Sequence, residues 1–132
     1  MKRNGKYKDK LGTIRWYKNG LLHRDNDLPA VIWSDGTQEW FIHGKRHRDN
    51  NLPALVKNEN HMEWWFNGNC HRENGPATIH VYGSAQTVFQ QYFILGNQLT
   101  KEEFEDYQIK KTFSDYLKKN LHIKSIQNMI KI

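Results

Sequence analysis

The stretch Trp40-Phe41-Ile42-His43-Gly44-Lys45-Arg46-His47-Arg48-Asp49-Asn50-Asn51-Leu52-Pro53-Ala54 decides how this chain folds, because its pattern occurs three times. Trp16, Trp40 and Trp64 share one repeat position, and Gly20, Gly44 and Gly68 share another. The pairs His23-Arg24, His47-Arg48 and His71-Arg72 keep the same spacing, followed by Pro29-Ala30, Pro53-Ala54 and Pro76-Ala77 after one deletion in the third copy. A period of about 24 residues implies a stacked array of small units, none able to bury its own apolar face.

Within a unit the punctuation is that of β-structure. Asp35-Gly36 and His43-Gly44 read as turns, since glycine accepts the positive φ that tight turns require. Between them Gln38-Glu39-Trp40-Phe41-Ile42 reads as one strand, sending Trp40 and Ile42 to one face and Phe41 to the other. Tyr17 and Trp65 share Phe41's position, so a sheet with two apolar faces is expected to need a cover. Proline suits the first residue of the next short strand, Ala54-Leu55-Val56, where its missing N–H harms no ladder.

The fourth unit departs from the pattern. Gln91 to Asn97 keeps the aromatic strand and the glycine, but Leu99-Thr100 replaces His-Arg, and Tyr82 to Gln90 is inserted. Beyond it Thr100 and Glu103 form a capping-box signature for a helix bearing Phe104 and Tyr107. Phe113, Tyr116, Leu117 and Leu121, continued by Ile123, Ile126, Met129 and Ile130, predict a second amphipathic helix from Lys111 to about Ile130. The expected fold is mainly β with C-terminal α: an antiparallel β-hairpin sheet of about four units, capped by helices. Its divisions are a basic flexible arm over 1–10, the hairpin array over 11–99 and a helical cap over 100–132.

The repeat Trp-aromatic-x-(Asn/His)-Gly-x-x-His-Arg-(Asp/Glu)-Asn-x-Pro-Ala resembles the MORN-like repeat variant found in many proteins of bacteriophages and large DNA viruses. The likeness covers about residues 11 to 107, including a closing unit from Gly96 to Phe104. It implies β-hairpin ladders that mediate protein contacts, and sometimes lipid contacts, with no common enzymatic activity. The basic arm and the tail after Phe104 lie outside the family's repeat.

Composition narrows the function classes. The chain has 132 residues, a net charge of +6 and one cysteine, Cys70, which excludes an internal disulfide and a cysteine-based zinc site. No stretch reads as a signal peptide or a membrane span, so a location in the interior of a host cell, the cytoplasm, is expected. No G-x-S-x-G, H-E-x-x-H or phosphate-cradling glycine loop occurs, so catalysis, cofactor and metal are not expected.

The His-Arg pairs carry the chief ambiguity. Stacking would align Arg24, Arg48 and Arg72 into a row for phosphates or carboxylates. Alternatively each pair satisfies loop carbonyls and meets Asp25, Asp49 or Glu73, because a residue present in every copy builds the copy. Parallel ladders do not converge His23, His47 and His71 on one metal ion. Candidate binding residues are Arg24, Arg48, Arg72, Trp65, Lys45 and Arg46, the last two standing where other copies have Leu21-Leu22 and Asn69-Cys70. Trp16, Trp40, Trp64, Gly20, Gly44, Gly68 and the three repeat histidines are assigned to structure. The expected function is binding of a protein partner. A virus-encoded inhibitor of a host defence nucleoprotein complex, as an anti-CRISPR protein would be, is its specific form. RNA or DNA binding through the arm, the arginines and the lysine-rich tail is the alternative, and anionic lipid a third. Sequence leaves the oligomeric state open.

Overall fold

A computed structural model describes residues 1–131 as a mainly antiparallel β-protein with one C-terminal helix. The strands are β1 (Gly5–Lys8), β2 (Ile14–Lys18), β3 (Leu21–Leu22), β4 (Val31–Ile32), β5 (Gln38–Glu39), β6 (Phe41–Ile42) and β7 (Lys45–Arg46). They continue as β8 (Leu55–Val56), β9 (His61–Glu63), β10 (Trp65–Phe66), β11 (Asn69–Cys70), β12 (Thr78–Tyr82), β13 (Thr87–Ile94) and β14 (Asn97–Leu99). Helix α1 spans Lys101–Ile130. Met1–Leu99 and Thr100–Ile132 are separate compact units.

The main sheet has the order β1-β2-β4-β5-β8-β9-β12-β13-β14, with β3 pairing to β2. Two small hairpins, β6-β7 and β10-β11, stand apart from it. The reason lies at the tryptophans. The strand expected over 38–42 breaks at Trp40: Gln38 and Glu39 pair into the main sheet, while Phe41 and Ile42 pair with Arg46 and Lys45. Trp64 divides β9 from β10 in the same way. At all three repeat tryptophans, including Trp16 within the unbroken β2, the backbone bonds recur. Trp16, Trp40 and Trp64 donate their N–H to Ala30, Ala54 and Ala77, each at 2.8 Å. Their carbonyls accept from His23, His47 and His71 at 3.0–3.1 Å. Ala30, Ala54 and Ala77 are fully buried, so no larger side chain fits there without displacing a neighbour.

The small hairpins turn at Asn19-Gly20, His43-Gly44, Asn67-Gly68 and Leu95-Gly96, where both residues take positive φ. Two-residue turns with both residues left-handed match the natural strand twist. At Asp35-Gly36 only Gly36 has positive φ; Trp33 instead closes a wider turn by donating to Thr37 at 2.9 Å, and Asp35 Oδ1 accepts from the Thr37 N–H.

Two expectations, for the arm and for the tail, are corrected. Residues 1–10 are not wholly a free arm, because Gly5–Lys8 pairs along its length with β2, from Gly5 opposite Tyr17 to Lys8 opposite Ile14. The insertion after Tyr82 lengthens a hairpin, with Thr78–Tyr82 laddered against Thr87–Gln91. The tail is one helix rather than two, since nothing between Ile109 and Lys111 interrupts it; no proline or glycine occurs there to break the hydrogen-bond ladder. Its capping box is formed: Thr100 Oγ1 accepts from Glu103 N, and Glu103 Oε2 from Thr100 N. Phe104 is its one buried residue.

Candidate functional site

The repeated His-Arg pairs are fasteners between units. His23 Nδ1 accepts the backbone N–H of His43, His47 Nδ1 that of Asn67, and His71 Nδ1 that of Leu95, at 2.8–3.0 Å. Each acceptor lies in one unit and its donor in the turn of the next. The opposite ring nitrogen, Nε2, faces Asp25, Asp49 or Glu73 at 2.8, 3.0 and 3.9 Å. With Nδ1 accepting, Nε2 carries the proton and donates. Asp25 is thereby held below the ordinary carboxylate range, first by the His23 hydrogen bond and then by the Lys18 charge.

The arginines stack rather than line up for a ligand. Arg24, Arg48 and Arg72 lay their guanidinium carbons 3.7–3.8 Å from the ring centroids of Trp16, Trp40 and Trp64. Nη1 of each donates to the carbonyl of Pro29, Pro53 or Pro76. Arg48 also grips Asp27 of the preceding unit through Nε and Nη2, at 2.8 and 3.1 Å. Asn51 offers Arg72 an amide oxygen at the same place. Each of the three thus has a ring against its guanidinium face and a proline carbonyl on Nη1, and Arg48 and Arg72 add a side-chain oxygen of the preceding unit. The acidic residues beside the pairs, Asp25, Asp49 and Glu73, meet the histidines.

A second arrangement was only partly legible. Glu39, buried, accepts from Trp33 Nε1 and from Nε and Nη2 of Arg46. Arg46 lies over both Phe41 and Trp65, at 5.4 and 4.8 Å. Trp65 in turn donates Nε1 to Glu63 Oε2 at 2.8 Å. The aromatic face expected to need a cover is therefore covered in part by arginine, whose flat, weakly hydrated cation packs on rings. Arg3 does the same over Tyr17, at 5.1 Å. Lys45, by contrast, is exposed. Trp64 and Trp65 point apart, Trp64 Nε1 donating to Asn51 O and Trp65 Nε1 to Glu63.

Beyond Glu63 the same row ends in His61 and His80, which no reading of the repeat singled out because neither residue recurs. His61 Nε2 meets Glu63 Oε1 at 2.9 Å, and the two imidazoles lie 3.9 Å apart between centroids. Burial first, then the neighbouring His61, lowers His80 below the ordinary imidazole value, against the opposing pull of Glu63. Among the described residues these three form the group able to hold a metal ion.

On α1 the apolar side chains are in the open: Ile109, Phe113, Tyr116, Leu117, Leu121, Met129 and Ile130 are all exposed, Phe113 by 61%. Asp106 and Lys110, and Lys111 and Asp115, pair along the helix surface. Among the described residues no helix is long and apolar enough to cross a membrane. Comparison with family models, curated proteins and solved structures finds no significant match to this chain.

Proposed function

We propose that the chain is a non-catalytic protein-binding module whose recognition element is the exposed apolar surface of α1. The observation that carries this reading is the exposure of Ile109, Phe113, Tyr116 and Leu117 on a helix of 30 residues with a single buried side chain. Contiguous exposed apolar surface favours association, and aromatic side chains on a helix are suitable anchors for a protein groove. The interspersed lysines and carboxylates keep the uncomplexed helix solvated and give the interface a polar rim.

The likeness of the repeat to proteins of bacteriophages and large DNA viruses extends this to a virus-encoded factor acting on a host complex inside the cell. An inhibitor of a defence system is its narrower form. Engagement of Arg24, Arg48 and Arg72 by ring and carbonyl partners favours a protein partner over a phosphate-tracking arginine row.

The test is capture from host lysate, with and without nuclease, by the full chain and by the double variant Phe113→Ser, Leu117→Ser. A discrete protein retained through nuclease and moderate salt, and lost with the variant, is the expected result. Recovery of nucleic acid alone, released steeply as salt rises, would transfer the function to the basic residues of the sheet.

A further inference from the structure

We infer that His61, Glu63 and His80 form a binding site for a divalent first-row transition metal ion, with zinc its natural occupant. His61 and Glu63 are two residues apart on β9, so the pleat sends both side chains to one face. His80 on β12 sits directly opposite His61 in the β9-β12 ladder, and cross-strand partners share a face. One ligand atom from each lies within 4.8 Å of the others. A zinc ion with bonds of about 2.0–2.1 Å brings its ligand atoms to roughly 3.3 Å from one another, a closure that small side-chain rotations provide.

The donor chemistry suits that class of ion. Two imidazoles and one carboxylate are a ligand set for zinc and its neighbours, and they leave a coordination position open for water or a partner's side chain. The carboxylate is already oriented: Glu63 Oε2 accepts from Trp65 Nε1 while Oε1 faces His61, the kind of outer hydrogen bond that fixes a ligand. Tyr82 stacks beside His80 and Phe89 stands across from it on β13, which gives the site an apolar wall.

Comparison between copies supports a special role for this position. Extending the β5-β8 register of Gln38 opposite Val56 by one residue sets Thr37 against Lys57. His61 and His80 hold the corresponding places one unit later, allowing for the deleted residue. In the earlier unit the glutamate, Glu39, is neutralised by Arg46; at Arg46's place the later unit has Cys70. The change of copy thus removes a cation from the glutamate and supplies two imidazoles. The histidines His23, His47 and His71 do not compete, because both ring nitrogens of each face a partner within the scaffold.

The experiment is titration of the untagged full chain with Co²⁺, followed by its visible absorption, and with Zn²⁺, followed by calorimetry. The expected result is one ion per chain, with Zn²⁺ displacing Co²⁺. Affinity should fall by about 100-fold or more in His80→Gln and in Glu63→Gln, and by about 10-fold in Trp65→Phe, which removes only the outer hydrogen bond. His122→Ala, on the exposed helix, should bind as the parent does. Thermal unfolding without metal confirms that each variant is folded, and His61→Ala serves as a second ligand variant if His80→Gln is not. Absence of stoichiometric binding, or equal binding by the parent and folded ligand variants, overturns the proposal.

Discussion

The Nδ1 of His47 accepts the backbone N–H of Asn67 at 3.0 Å, across twenty positions of sequence and from one repeat unit into the turn of the next. A side chain repeated for local reasons would bond within its own unit. This one secures the neighbouring turn, in which Asn67 and Gly68 both hold positive φ.

Replacing His47 with alanine removes that N–H's side-chain partner, and because the bond is exposed its loss costs about 0.5–1.5 kcal/mol. Urea denaturation should show a lower midpoint with unchanged slope. His47→Phe, which keeps the ring volume but not the acceptor, should be comparably destabilised. A variant as stable as the parent would show that water replaces the imidazole without cost.

Arg48 and Asp27 predict a pH dependence with a definite sign. The Arg48 hydrogen bond, opposed by burial and aided by its charge, holds the Asp27 carboxyl below its ordinary value of 3.8. The unfolded chain therefore binds the proton more readily than the folded one. The stabilisation is present above the unfolded value and is lost as pH falls through the folded one. Asp27→Asn should flatten that part of the acid limb. Because Asp27 is half exposed, screening keeps the effect below about 1 kcal/mol. Identical acid limbs for parent and variant would refute the coupling.

Gly44 and Gly36 separate two costs of a β-carbon. Both have positive φ, but a Cβ at Gly44 meets Leu21 Cδ2 at 3.3 Å, whereas one at Gly36 meets nothing within 4 Å. Gly36→Ala should cost about 1 kcal/mol from the backbone conformation alone, and Gly44→Ala more than that. Equal losses would mean that Leu21 yields freely.

Cys70 should be inert in the folded protein. Burial, reinforced by the Glu63 carboxylate and partly offset by Arg46, pushes its thiol up to about 12, so thiolate is scarce at neutral pH. Alkylation by iodoacetamide should proceed at the rate of unfolding in buffer and rapidly in urea. Rapid labelling of the native chain would contradict this burial.

Much of the architecture was legible because a repeated local signal needs no knowledge of distant contacts. The glycines of the four turns are visible as a residue type that accepts positive φ, joined by asparagine at Asn19 and Asn67, and the helix start at Thr100 as a capping pair. What sequence periodicity misread was Gln38 to Ile42. Alternation treats it as one strand, but Glu39 pairs with Val31 and Leu55 in the main sheet while Phe41 pairs with Arg46 in a separate hairpin, a division that strand pairing sets and alternation does not show. The arm suffered likewise: Gly5–Lys8 looks basic and free until β2 offers it an edge.

By itself, then, the sequence determined the unit, its turns, its tryptophan and glycine positions and the helical end, since these follow from backbone preference and spacing. Tertiary structure alone decided what the side chains do. Whether Arg48 faces a phosphate or a Trp40 ring depends on which strand lies beside it. That His61 and His80 meet is a matter of register between β9 and β12. Such pairings join residues far apart in the chain, and no local propensity specifies them; they are settled only when the units stack and each polar group finds its partner.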